Sequence, residues 1–179
     1  MAARASYNAA VHAPGLWGIT GVLGLLAQAL YRLTPYAIDA ITHPLTLVEL
    51  AVLVGWVMFN AYSEGYRGFH RMFSPRVVAR ARALDANPKP LLVVLAPIYC
   101  MGLIHATRKR LIVSWLLTLG IVAIVIAVRL LEQPWRGIVD AGVVAGLAIG
   151  FVSILYFVVL ALLGRPIAVD PDLPGQVAG

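Results

Sequence analysis

Residues 64–89 read EGYRGFHRMFSPRVVARARALDANPK, and this basic stretch lies between long apolar runs. Nine of the fourteen Lys and Arg residues fall either here or in Arg108-Lys109-Arg110. The 179-residue chain is 61% hydrophobic and 12% charged, which leaves too little polar surface for a water-soluble domain of this size. Dense positive charge beside apolar runs is typical of the cytoplasmic loops of multi-pass membrane proteins. We therefore predict an all-α, polytopic membrane protein.

Four apolar runs are long enough to cross a hydrocarbon core, for which about 20 residues are needed. They cover residues 16–33, 44–62, 111–131 and 138–163. These runs predict one transmembrane helical bundle over residues 16–163, preceded by a cytoplasmic segment at 1–15. The Pro- and Asp-containing residues 164–179 predict a flexible cytoplasmic tail. A cleaved signal peptide is disfavoured, because the leading segment carries only Arg4 and the apolar run continues past the small-residue site.

A fifth apolar run, residues 91–104, is short for a membrane span and has Pro97 at its middle. If this run crossed the membrane, the basic residues 67–89 and 108–110 would lie on opposite sides, against the positive-inside bias. If it dips without crossing, both basic clusters and both termini are cytoplasmic. We therefore predict four transmembrane helices and a short re-entrant or interfacial segment.

The basic and interfacial region, residues 64–110, contains a second helix signal. Ser74-Pro75 favours a helix start, and an apolar side formed by Val77, Val78 and Ala81 follows it. This pattern predicts a basic amphipathic helix that lies in the membrane plane with its arginines among anionic headgroups. The predicted lipid-headgroup contacts are Arg67, Arg71, Arg76, Arg80, Arg82, Arg108, Lys109 and Arg110.

Polar side chains on the first two predicted spans suggest a polar pathway. Projected at 100° per residue, Gln28 and Tyr31 share one face of the first span, opposite Ile19 and Val22, which we expect to face lipid. Glu49 and Asn60 share an arc of the second span, and we expect the two polar faces to meet. Glu49 is either a proton- or cation-binding group or a structural hydrogen bond or ion pair to Arg32. The predicted pathway residues are Glu49, Gln28, Tyr31, Asn60 and Arg32.

The fourth span carries Gly142, Gly146 and Gly150 at intervals of four, with Ser153 on the same side. Three missing side chains on one helix face let two helix backbones approach closely, so this face predicts helix packing. The partner is either another span of this chain, which we expect, or a second protomer or membrane partner.

Motifs for catalysis or metal binding are absent from the sequence: there is no phosphate-binding glycine loop, His-x-x-x-His pair or serine elbow. The single cysteine, Cys100, excludes an internal disulfide and a cysteine-based metal site. We expect no metal and no cofactor. The net charge of +6 lies beside apolar runs, so we expect anionic lipid rather than nucleic acid as its partner.

Three hypotheses about function remain. The leading one is a non-catalytic accessory or lipid-engaging subunit. The alternatives are a small transporter or proton-coupled carrier that uses an intramembrane Glu, and a lipid-headgroup enzyme at the inner interface that uses His70 or His105 with the arginines. Arginine and alanine usage favours a bacterial protein, and therefore the inner membrane. The positive-inside bias predicts that both termini are cytoplasmic.

Overall fold

The computed structural model describes residues 11–167 and 169–174, and all regular secondary structure in these ranges is helical. Residues 1–10, 168 and 175–179 lie outside the described residues, so the predictions for the first segment and the tail are only partly covered. The helices are α1 (Ala13–Thr42), α2 (Leu47–Asn60), a π-helical segment (Ala61–Phe73), α3 (Ser74–Ala86), α4 (Pro90–Val94), α5 (Ala96–Cys100), α6 (Arg108–Val128) and α7 (Trp135–Leu162).

Four helices are long and apolar enough to cross a membrane: α1, the continuous helix over Leu47–Ala86, α6 and α7. The predicted all-α, four-span class is therefore confirmed. The boundaries differ from the prediction at the first loop, since α1 continues through Pro35 to Thr42. Asp39 near the end of α1 accepts a hydrogen bond from Gln133 at 2.8 Å, and Arg136 of α7 lies over the Tyr36 ring at 3.7 Å. These contacts stabilise the last turns of α1 against the start of α7.

The second span and the basic stretch form one 40-residue helix without a break at Ser74-Pro75. Residues 61–73 wind as a π-helix, in which each N–H bonds to the fifth residue before it. Helix α3 begins at Ser74, as predicted, but it continues the preceding π-helical turns, because Phe73 already has helical dihedral angles and Ser74 makes no side-chain cap. Residues with a strong start signal can thus continue a helix when the preceding turn is already formed.

The glycine face of α7 packs within the chain, as predicted. A Cβ on Gly150 would lie 2.5 Å from Cγ of Phe69, and one on Gly146 would lie 3.0 Å from Glu64. Gly142 faces Trp56, whose indole donates to the Val139 carbonyl at 3.2 Å. Because α2 and the π-helical segment occupy this face, it is not free for a second protomer.

The 91–104 run folds back at one end of the bundle. Pro97 and Cys100 in α5 pack against Gly21 and Gly18 in the first half of α1. The chain then returns as an irregular segment, whose Leu103 carbonyl accepts from the Trp115 indole on α6 at 3.1 Å. The run therefore joins Lys89 to Arg108 without crossing the bundle.

The largest apolar core lies at this same end of the bundle. It contains buried side chains from α1, α3, α5 and α7, among them Val22, Val78, Tyr99 and Ile154. A smaller cluster around Ile138 and Leu53 lies toward the α1–α2 turn. Helix α6 contributes little to either, since Ser114 is its only buried residue in the described chain. Its apolar surface is therefore available to lipid.

Candidate functional site

A cleft of about 370 Å³ opens at the basic end of the bundle, and we call it the basic cleft. The π-helical segment supplies its polar wall and α3, α7 and the start of the tail supply apolar groups. Its main lining residues are Tyr66, His70, Arg71, Pro75, Phe157 and Leu160, with Pro166 and Ile167 at one edge. It joins a cationic side chain, a titratable side chain and an apolar surface in one concave site.

Aromatic contacts and one hydrogen bond hold the imidazole of His70. The ring stacks on Tyr66 with centroids 5.8 Å apart and packs against Phe157 at 5.4 Å. Its Nδ1 is 2.9 Å from Oγ of Ser153, which is 3% exposed. The other ring nitrogen, Nε2, has no hydrogen-bond partner among residues 11–167 and 169–174. Ser153 therefore fixes the ring orientation, and its buried hydroxyl is poorly placed to attack a substrate.

Arg71 is exposed at the cleft and forms no hydrogen bond or ion pair within the described part of the chain. A guanidinium with free donors binds phosphate oxygens in a bidentate way. Arg67, one turn earlier, is also exposed, as are Arg108 and Lys109 at the start of α6. Four of the predicted lipid contacts therefore have side chains that can reach a ligand.

Arg80 and Arg82 contradict the predicted exposed edge of the amphipathic helix, because they are 1% and 2% exposed. Helix α3 is covered by α1, α5 and α7, and its apolar side meets protein rather than lipid. The same alternation of apolar and basic residues suits a membrane surface or a protein interior that supplies hydrogen-bond acceptors. Here the protein interior supplies them.

Backbone carbonyls satisfy the Arg80 guanidinium. Its Nε donates to Tyr99 at 2.6 Å, its Nη1 to Pro171 at 2.7 Å, and its Nη2 to Ile104 at 2.9 Å and His105 at 3.1 Å. The guanidinium carbon also lies 4.3 Å from the Tyr99 ring centroid, a cation–π contact. Arg80 thus joins α3 to the fold-back segment and the tail.

Arg82 has a similar role at the end of α7. Its Nη2 donates to the carbonyls of Ala161 at 3.0 Å and Arg165 at 3.2 Å. The last carbonyls of a helix have no intrahelical donor, so a cation there satisfies them and interacts favourably with the helix dipole. Arg82 therefore caps α7 from a distant part of the sequence.

Part of the tail docks on the basic end, so the prediction of a flexible tail is wrong for this part. Asp172 pairs with Arg76, with 3.2 Å between Oδ2 and Nε, and its carbonyl accepts from Thr107 N at 2.9 Å. Leu173 packs against the larger apolar core. Arg76 is therefore already paired, and Arg110 is partly buried nearby beside Gly102.

The predicted polar pathway is not assembled. Tyr31 is 82% exposed, and Gln28 and Arg32 are also exposed, whereas Asn60 is 2% exposed at the glycine face. Ile19 and Val22, which we expected to face lipid, are buried at 2% and 1%. The predicted faces of α1 are thus inverted, since lipid is as apolar as the protein core and gives apolar residues no preferred side.

Glu49 has a structural role in this fold. Its carboxylate accepts from the Thr46 backbone N–H and hydroxyl, both at 2.8 Å, and the Thr46 hydroxyl accepts from Glu49 N at 3.3 Å. This reciprocal pair is a capping box, which satisfies free N–H groups at the start of α2. Glu49 thus makes a hydrogen bond of the kind that the structural interpretation expects, with Thr46 rather than Arg32 as its partner.

Two contacts near the candidate site were missed in the sequence analysis. One is the His70–Ser153 hydrogen bond, and the other is Glu64, which lies against Gly146. The arc that holds Trp56 and Asn60 reaches Glu64 after four more residues, so that signal was present in the sequence. It was hidden by the expectation that the second span ends at residue 62.

His105 and Cys100 lie near Arg80 rather than in the basic cleft. The His105 ring stacks on Tyr99 with centroids 6.2 Å apart, and its pKa is lowered by burial and by the positive charges of Lys89 and Arg80. Burial raises the pKa of the Cys100 thiol to about 12. No group of three His, Cys, Asp or Glu side chains within the described residues is arranged to hold a metal ion. The two histidines therefore do not form one catalytic cluster.

Compared with protein-family models, curated proteins and solved structures, this chain matches none of them.

Proposed function

We propose that this chain is a non-catalytic, lipid-engaging membrane subunit that binds the headgroup of an anionic phospholipid in the basic cleft. The observation that carries the proposal is the free guanidinium of Arg71 beside an apolar wall at the basic end of the bundle. A phospholipid combines a phosphate, which suits Arg71, with apolar chains, which suit Phe157 and Leu160.

The electrostatic surroundings support the same ligand. Arg108 and Lys109 are exposed near this end, and each basic residue near an anionic membrane surface adds about 1 kcal/mol of attraction. With this end in the cytoplasm, the positive-inside bias is met and both termini are cytoplasmic. Arginine and alanine usage suggests a bacterial source, so we propose the inner membrane as its location.

Fewer arginines are free to contact a lipid headgroup than the sequence predicted. Arg80 and Arg82 bond to carbonyls, and Arg76 pairs with Asp172, so reversing these charges would test folding rather than lipid binding. Arg71 and His70 are the informative positions. Arg129, exposed at the other end of α6, offers the same change of charge far from the cleft.

The experiment is native mass spectrometry of the purified protein titrated with phosphatidylglycerol and, separately, with phosphatidylcholine. We expect preferential retention of phosphatidylglycerol, and Arg71→Gln should weaken it by about fivefold, the equivalent of about 1 kcal/mol. His70→Gln should weaken it less, and Arg129→Gln should leave it unchanged. Equal retention of both lipids, or equal losses in Arg71→Gln and Arg129→Gln, would refute the proposal.

The proton-coupled carrier is a second candidate, although its predicted pathway is not assembled. One observation supports it: the π-helical segment places a different carboxylate, Glu64, beside Gly146 at the edge of its contact with α7.

A further inference from the structure

Glu64 lies on the helix face that meets the glycines of α7. Trp56, Asn60 and Glu64 follow one another at intervals of four and meet Gly142 and Gly146. A Cβ on Gly142 would be 2.7 Å from Nδ2 of Asn60, and one on Gly146 would be 3.0 Å from Oε2 of Glu64. One carboxylate oxygen of Glu64 therefore lies beside the bare backbone at Gly146, while the residue as a whole remains exposed on the surface of the bundle.

The contact with Gly146 gives the depth of Glu64. Gly146 is the twelfth residue of the 28-residue helix α7. At 1.5 Å per residue, it lies about 17 Å from the first residue and within about 4 Å of the helix midpoint. A hydrocarbon core is about 30 Å thick, so a membrane-crossing α7 places Glu64 well inside it. The exposed part of the Glu64 side chain then faces lipid rather than bulk water.

No charged group compensates Glu64 within the described residues. It makes no ion pair or hydrogen bond there, and α7 presents Gly146, Ile149 and Gly150 to this part of the π-helical segment. Arg67 on the same segment is exposed and unpaired, and His70 bonds to Ser153.

The charged side chains of the neighbouring helices interact with groups other than Glu64. In α2, Glu49 bonds to Thr46, and in α7, Asp140 and Arg136 pair with each other at the far end at 3.8 Å. In α3, Arg76 pairs with Asp172, Arg80 and Arg82 bond to carbonyls, and Asp85 accepts from the backbone N–H groups of His12 and Gly15.

We propose that Glu64 is a proton-binding site inside the membrane, with its carboxyl group protonated in the resting protein. An ionised carboxylate without a partner in hydrocarbon is costly, and taking up a proton removes that cost. This inference is independent of lipid binding in the basic cleft. It supplies the intramembrane acid that a proton-coupled carrier needs, at Glu64 instead of Glu49.

The first test is chemical labelling of the protein reconstituted in liposomes. Dicyclohexylcarbodiimide partitions into the hydrocarbon and reacts with protonated carboxyl groups, and peptide mass spectrometry locates the adduct. We expect the adduct on Glu64, with Glu49 and Glu132 unmodified as internal controls. Glu64→Asp should keep the labelling and Glu64→Gln should abolish it. An unmodified Glu64, or equal labelling of Glu64 and Glu49, overturns the proposal.

Infrared difference spectroscopy provides a second, label-free test. Subtracting the Glu64→Gln spectrum from the wild-type spectrum should reveal the C=O band of a protonated carboxylic acid, and the matched Glu49→Gln subtraction should lack it. A carboxylate band in the Glu64→Gln subtraction would show that Glu64 is ionised, which contradicts the proposal. If Glu64→Gln does not fold, the labelling of the wild-type protein still decides the question.

Discussion

The two halves of the basic stretch have similar compositions but opposite surroundings. In the π-helical half, Arg67 and Arg71 are exposed and unpaired within the described residues. In α3, Arg80 and Arg82 are buried, and backbone carbonyls from distant segments accept their hydrogen bonds. Positive charge at the end of a membrane bundle can thus bind a ligand or hold the fold together. The hydrogen-bond partners, rather than the density of arginines, distinguish the two roles.

The largest expected effect follows from removing the buried guanidinium. Arg80→Met takes one donor from each of four carbonyls, and an unsatisfied buried polar group costs about 1–3 kcal/mol. We expect a loss of about 3 kcal/mol or more in unfolding free energy, measured by denaturant unfolding in detergent. Arg67→Met, the matched change in the exposed half, should stay within about 0.5 kcal/mol. Equal losses would show that the two halves do not differ.

A smaller effect on stability tests the close packing of the π-helical segment against the glycine face of α7. Gly150→Ala places a Cβ about 2.5 Å from Cγ of Phe69, so the ring or the helix must shift. Overpacking of this kind costs about 1–3 kcal/mol. Gly120→Ala is the same change where no atom lies within 4 Å, and the helix should gain about 0.5–1 kcal/mol there. Thermal unfolding of both variants in detergent measures the difference, and a stabilised Gly150→Ala would refute the tight packing.

The smallest expected effect is on the pH dependence of the unfolding free energy, and it comes from Cys100, which packs beside α3. Its thiol stays protonated in the folded protein up to about pH 12, whereas the unfolded thiol ionises near the reference pKa of 9.0. Unfolding therefore releases a proton between these values, so stability falls as pH rises. Between pH 8 and pH 10 this contribution is about 1 kcal/mol. Denaturant unfolding of wild type and Cys100→Ala measures it, and an identical pH dependence in both would contradict the burial of the thiol.

The sequence predicted the features that depend on neighbouring residues along the chain, such as run length, hydropathy and spacing. Run length and hydropathy predicted the four spans, and the positive-inside bias with Pro97 predicted that residues 91–104 fold back. The interval of four between Gly142, Gly146 and Gly150 predicted the packing face, because a missing side chain always leaves a groove. These signals do not depend on which distant residue is the neighbour.

The features that it did not predict depend on distant partners or on backbone winding. The carbonyls that bind Arg80 come from residues 99, 104, 105 and 171, which no local pattern connects to α3. The contacts along α2 follow intervals of four to Glu64 and then an interval of five to Phe69, as the π-helical winding requires. An ideal α-helical projection therefore identifies Asn60 and, continued past residue 62, reaches Glu64, but it does not lead to Phe69.

The central claim is that both basic segments lie at one end of the bundle, because lipid binding and the depth of Glu64 depend on it. Single cysteines at the exposed positions Asn87, Lys109 and Glu132 test it directly with a membrane-impermeant maleimide in sealed vesicles of known orientation. Cys100 can remain, since it is 1% exposed, and peptide mass spectrometry separates its adduct. We predict that Asn87→Cys and Lys109→Cys react from one side and Glu132→Cys from the other. Reaction of Asn87→Cys and Lys109→Cys from opposite sides would contradict the account.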